Sequence, residues 1–119
     1  MRYMLFYGCD DRSEPGDPGF EVVAECARRG VFVGGEPLRP VSTANTVRIR
    51  GGETLITDGP FAETPEHLSG YYILDCQGLD EALESAALWP VAARGSVEVR
   101  PVDDIPGLGW QMDSVAGEA

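Results

Sequence analysis

The order of patterns along the chain constrains its fold more than any single motif: strand, helix, strand, tight hairpin, then strand, helix, strand. "RYMLFY" (residues 2–7) is an aromatic and apolar strand. After the polar loop "GCDDRSEPGD" a helix is signalled. Asp17 is placed to cap it, Pro18 suits its first position, and Phe20, Val23, Ala24 and Ala27 recur at helical spacing. Arg28 and Arg29 fall in its last turn, and Gly30 permits a left-handed stop. "VFVGGEPL" reads as a second strand, broken at Gly34-Gly35. In "TVRIRGGETLIT" the two glycines supply the positive φ of a two-residue turn, which sets Arg50 against Glu53 and Val47 against Ile56. One hairpin face is then apolar (Val47, Ile49, Ile56) and the other carries Arg48 and Arg50. "GYYILDC" is a further strand. "LDEALESAAL" is a helix with the stripe Leu79, Ala82, Leu83, Ala86 and Ala87, and with Asp80 and Glu81 in its first turn. "SVEVRPV" closes the core, alternating Val97 and Val99 with Glu98 and Arg100.

This order is the split-βαβ, ferredoxin-like arrangement of an α+β protein with an added hairpin, two helices lying on one face of an antiparallel sheet. Two helices cover one face only. The other face, carrying Tyr3, Leu5 and Tyr7 or their alternates, must meet something. The economical solution is a homodimer with two sheets packed face to face, leaving pockets where sheet and loops curve together. With 119 residues the chain is expected to form one domain over residues 1–105, followed by a Gly-rich tail over 106–119. Trp110 is the tail's anchor, and residues after about 111 are expected to be mobile.

Charge and cysteine usage narrow the partners. Twenty acids against nine bases give a net charge of −11, which repels phosphate backbones and disfavours nucleic acid. No run approaches the ~20 apolar residues of a membrane span, and "MRYMLFYGCDD" lacks the features of a signal peptide. A cytoplasmic protein is expected. Cys9, Cys26 and Cys76 are odd in number and form no CxxC pair, so no disulfide framework is read; Cys26 and Cys76 should pack as small hydrophobes. A Cys3His zinc site using His67 finds no knuckle spacing, and no metal is assigned. No GxGxxG, Walker-type or nucleophile-elbow motif is present, so no cofactor is assigned.

"RYMLFY", "GGEPLRPVSTANTVR", "TDGPFAET", "GYYILD", "LDEALE" and "GSVEVRPV" together resemble the YCII-related proteins, in the branch named for its Asp-Gly-Pro-Phe signature. The likeness runs from about Met1 to Val102. It implies a dimeric α+β barrel built on the ferredoxin-like fold, and a function that is largely unassigned in the family. Relatives in the wider superfamily include enzymes acting on small cyclic or lactone-like acids. The resemblance also implies a His–Asp pair with its histidine on the first helix, but that helix here, "PGFEVVAECARRG", has none. Genes of this branch often lie near those of extracytoplasmic-function sigma factors, which implies a regulatory link.

The candidate site centres on "TDGPFAETPEHLSGYY". Asp58 follows an apolar strand and precedes Gly59, which lets backbone approach closely, and Pro60, which stiffens the loop. Asp58 would serve as a base if burial raised its pKa; the plainer reading is that its carboxylate fixes the turn. His67, the chain's one histidine, is expected in the first turn of a short helical segment begun by Thr64 and Pro65. It titrates near neutrality and would trade protons with Asp58; the plainer reading is a solvent-facing loop residue. Phe61 covers a pocket or packs on a dimer mate. Arg39 and Arg48 would pair a substrate carboxylate. Glu36, if buried near Asp58, would share a proton with it, and Tyr71 or Tyr72 should offer a hydroxyl on the open sheet face. Two readings follow. One is a dimer binding a small organic acid and able to do isomerase- or lyase-like proton transfer. The other is a non-catalytic regulatory module tied to a sigma factor.

Overall fold

All strand pairing is antiparallel, and two helices pack on one side of the main sheet. The computed structural model describes residues 1–9, 19–60 and 67–108. The elements are β1 (Arg2–Cys9), α1 (Phe20–Arg28), β2 (Phe32–Pro37), β3 (Asn45–Arg50), β4 (Glu53–Asp58), β5 (His67–Asp75), α2 (Leu79–Ala86) and β6 (Ser96–Pro101). Short 3-10 turns occupy Val41–Thr43 and Pro90–Ala93. The four-stranded sheet runs β2-β5-β1-β6, and β3 and β4 form a separate two-stranded sheet. The fold is α+β. Each β-α-β passage skips a strand: β5 lies between β1 and β2, and β1 lies between β5 and β6.

The covered face of the sheet is set by β1 and β5. Tyr3 pairs with Leu74, Leu5 with Tyr72 and Tyr7 with Gly70. Tyr3, Leu5, Tyr72 and Leu74 are buried together with Cys26 of α1 and Ala82 and Ala86 of α2. Tyr72 is held between aromatic neighbours, with ring centroids 5.2 Å from Tyr7 and 4.6 Å from Trp89. Glycines make this packing possible. A Cβ at Gly70 would lie 2.0 Å from the Tyr7 hydroxyl, and one at Gly35 would lie 2.4 Å from the Tyr71 carbonyl oxygen and 2.6 Å from the Tyr72 ring. The break expected at Gly34-Gly35 is a bulge, with the register shifting between Phe32 and Gly34. The uncovered face therefore carries the alternates of Tyr3, Leu5 and Tyr7. Met4 pairs with Ile73 and Phe6 with Tyr71, and all four side chains are half-buried.

Both helices are turned relative to their apolar stripes. On α1, Cys26 is fully buried and Val22 and Val23 partly so, while Phe20 is 77% exposed and Ala24 and Ala27 face water. The helix begins at Phe20, and Gly19, at φ 88°, caps it with no side-chain hydrogen bond; the expected cap, Asp17, and Pro18 lie outside the described residues. On α2, Ala82, Ser85 and Ala86 are buried and Leu79, Leu83 and Ala87 are exposed. Ser85 enters the core because its hydroxyl accepts a hydrogen bond from Arg29 Nη2 at 3.1 Å, which satisfies a group that a stripe of hydrophobes leaves out. The hairpin has the register that its turn dictates, Val47 against Ile56 and Arg50 against Glu53. Its apolar face is uncovered, with Val47, Ile49 and Ile56 each more than 60% exposed.

Cys26 and Cys76 are buried free thiols, packed as small hydrophobes. Burial, and secondarily the charge of Glu81, push the Cys76 thiol up to about 11. Because the folded-state value lies above the unfolded one, the resulting stability is present below pH 9 and is lost as pH rises from there towards 11. We expect peptide-resolved alkylation of native protein at pH 8 to leave Cys76 unmodified, and chemical denaturation midpoints to fall above pH 9. Native labelling of Cys76 at pH 8 would contradict this burial. Gly35→Ala, which drives a methyl into backbone, should cost about 1–3 kcal/mol in the same denaturation assay.

Candidate functional site

A cleft of about 760 Å3 lies on the uncovered side of the sheet. Its floor is Phe6 and Gly8 of β1, Leu68 of β5, and Ser96, Glu98 and Arg100 of β6. Its wall is formed by the segment between β2 and β3, from Leu38 to Ala44, by Asn45 and Thr46 at the start of β3, and by Pro60. The Leu38 N–H donates to the Ser69 carbonyl at 2.8 Å, tying the start of that wall to β5. The 3-10 turn is closed by Thr43, whose N–H and hydroxyl both donate to the Pro40 carbonyl, at 2.9 and 2.7 Å. The corner after β4 is then fastened to β3. The Gly59 N–H donates to the Ala44 carbonyl at 2.8 Å and the Thr46 hydroxyl donates to the Gly59 carbonyl at 2.7 Å. Gly59 sits at φ 107°, a conformation that side chains with a Cβ rarely adopt. This positions Pro60 against the cleft.

A bulge between Tyr7 and Gly8 shifts the register, so that Gly8 faces Leu68 and Cys9 faces His67. His67 lines the cleft at the first residue of β5. The close approach depends on Gly8, where a Cβ would lie 2.4 Å from the His67 carbonyl oxygen.

Residues 8–106 match the YCII-related domain. That stretch contains the cleft wall, His67 and most of the sheet. The chain belongs to the YCII-related family. It is also similar to an uncharacterized protein of Rhizobium meliloti (strain 1021), at 51% identity over 67 residues, which are 55% of this chain and 54% of that protein. The chain thus spans about half the length of the curated relative it matches.

In this YCII-related chain the cleft gathers some of the residues singled out from sequence and leaves others aside. His67, Arg39 and Pro60 line it. His67 opens a strand rather than sitting in a helical turn, because it pairs with Cys9 across the bulge. Asp58 ends β4, exposed, and its carboxylate accepts a hydrogen bond from Asn45 Nδ2 at 2.9 Å. Asn45 lines the cleft, so Asp58 stands behind the wall and touches it through that amide. Arg48 lies within β3 opposite Leu55. Glu36 is exposed at the sheet edge opposite Tyr71, so the buried carboxylate pair with Asp58 does not form; Asp58 pairs across its own hairpin with Asn45. Of the two tyrosines, Tyr72 is the buried one, and Tyr71 is left on the open face beside Phe6. Phe61 lies outside the described residues.

The residues that sequence reasoning missed are Arg100, Glu98 and Asn45. Arg100 and Glu98 belong to the polar alternation of β6 and read as a solvated face. They meet the β2–β3 segment because the sheet order brings β6 beside β1. Among the described residues no helix is long and apolar enough to cross a membrane.

Gly8→Ala tests how the floor holds His67. The added methyl meets backbone, so the start of β5 must move. We expect a loss of about 1–3 kcal/mol in denaturant unfolding and a shifted His67 imidazole resonance in NMR spectra of the native state. An unchanged His67 signal would show that the glycine does not position it.

Proposed function

We propose that this YCII-related protein binds a small organic acid in the cleft beside the β2–β3 segment, and does so as a homodimer whose sheets pack open face to open face. The observation that carries the reading is the cleft itself. A concavity of about 760 Å3, within the range of small-molecule sites, has an apolar floor at Phe6 and Leu68 and takes in His67 and Arg39. Arg39 supplies the planar fork that suits a carboxylate. The dimer rests on Met4, Phe6, Tyr71 and Ile73, which form a half-buried apolar patch on a sheet face that neither helix covers.

Proton transfer is the chemistry this arrangement supports. His67 lies in the cleft and carries an imidazole that can donate or accept a proton. Asp58 holds Asn45 from behind the wall, which suits it to positioning as well as to the role of base. An isomerase- or lyase-like reaction on an acid bound by Arg39 would draw on His67 as the acid.

A thermal-shift screen against small carboxylic acids and lactones tests the binding reading. A ligand at a hundredfold excess over its Kd stabilises by about 2.7 kcal/mol, a rise of several degrees in Tm for a domain of this size. We expect that rise in the native chain and its loss in His67→Gln. No shift with any acid or lactone would overturn the reading. In sedimentation velocity at micromolar concentration the native chain should run as a dimer and Phe6→Asp as a monomer. A native monomer would remove the second subunit.

A further inference from the structure

The arginines divide into two groups. The chain has no lysine, and its nine basic residues are all arginine. Arg2 pairs with Asp104 and Arg28 with Glu25, Arg29 donates to Ser85 at 3.1 Å, and Arg50 donates to the Ile49 carbonyl at 3.0 Å. Arg48 and Arg94 are likewise engaged. Among the described residues the two arginines with neither a hydrogen bond nor an ion pair are Arg39 and Arg100, and both line the cleft.

They reach it from opposite sides. Arg39 follows β2, one edge of the sheet, and Arg100 lies on β6, the other edge, with β5 and β1 between them. Three interstrand spacings separate the two edges, about 14 Å, and along the strands Arg100 lies level with Ile73 of β5 while Arg39 follows the Leu38–Ser69 contact, so the two backbones stand further apart than the edges do. The floor between them holds Phe6 and Leu68.

We propose that the ligand of this cleft is a small dicarboxylic acid, with one carboxylate on Arg39, the other on Arg100, and its carbon skeleton over Phe6. The inference rests on the cleft being the ligand site. A monocarboxylate occupies one guanidinium fork and leaves the opposite one idle, whereas a diacid occupies both. Among its described lining residues the cleft offers no α-helix N-terminus and no glycine-rich loop of the kind that cradles phosphate, and an arginine fork matches a carboxylate in two parallel hydrogen bonds. Glu98, the one carboxylate among the described lining residues, disfavours ligands that bring a third negative charge.

The test is calorimetric titration at fixed ionic strength with matched pairs, glutarate against butyrate and phthalate against benzoate, using the native chain, Arg39→Gln and Arg100→Gln. We expect at least one diacid to bind about tenfold or more tightly than its monoacid, the gain expected from one further charge-assisted contact. Each single substitution should abolish that preference. Thermal melting without ligand should not fall, because neither guanidinium holds a partner that the substitution would orphan. Equal affinity for diacid and monoacid overturns the inference and leaves the cleft reading standing. Failure of both acids to bind, with no acid or lactone shifting the melting point, overturns both. A retained diacid preference in Arg100→Gln together with loss of the dimer would assign Arg100 to the subunit contact and also overturn the inference.

Discussion

Tyr72 is the residue around which the sheet and both helices are arranged. Its ring lies 5.2 Å from Tyr7, 4.6 Å from Trp89 and 6.2 Å from Phe32, so it joins β1, β2 and the segment after α2 at one point. Aromatic contacts of this kind are worth about 0.5–1.5 kcal/mol each beyond the area they bury. They also exact room. Gly70 and Gly35 lack the Cβ atoms that would strike Tyr7 and Tyr72, and Gly19 lacks the one that would lie 2.5 Å from Trp89 Nε1. That indole nitrogen is buried and makes no hydrogen bond among the described residues, so the cluster accepts an unsatisfied donor in exchange for its packing. The register slips one residue after the Tyr7–Gly70 pair, before Gly8 meets Leu68. That slip sets Cys9 against His67, which lines the cleft on the other face of the sheet.

What the sequence discloses, it discloses through local chemistry. The Gly51-Gly52 turn leaves the hairpin one low-energy register, and every pair read from it is found. The order of strands and helices also follows from pattern, because period two and period 3.6 are well separated here. Helix phase was less legible. The α1 stripe read at Phe20, Val23, Ala24 and Ala27 lies to one side of the buried line, because Cys26 and Val22 carry that face and Phe20 is left in water. On α2 a serine held by Arg29 occupies a core position that no hydrophobic count finds.

The cleft was half legible for a different reason. The loop around Gly59 and Pro60 announces a constrained corner, and a lone histidine nearby draws notice. The partners they face come from β6, forty residues later, on a face whose Glu-Val-Arg alternation is indistinguishable from any solvated edge strand. Only the strand order, with β6 beside β1 and β2 beyond β5, makes that edge part of the cleft floor. Asp58 shows the converse. Its position after an apolar strand draws notice, but its amide partner Asn45, which ties it to the wall, comes from the facing strand of the hairpin.

Electrostatics connects the proposed ligand to the proposed dimer. The net charge of −11 repels an approaching anion, but at physiological salt that field decays over about 8 Å, so recognition falls to groups in direct contact. Two unpaired guanidiniums in open water cost the protein little. Covering the uncovered face with a second copy changes their environment, because a charge taken out of water without a partner is expensive. A dianion in the cleft offsets that cost by giving both arginines a carboxylate as the face closes. By linkage, whatever the ligand contributes to closing the interface, the interface returns as affinity for the ligand. A monoanion would neutralise one side of the cleft and leave the other guanidinium to oppose closure. On the proposed reading, the apolar patch drives the pairing of the faces, and the two guanidiniums set which ligand that pairing favours.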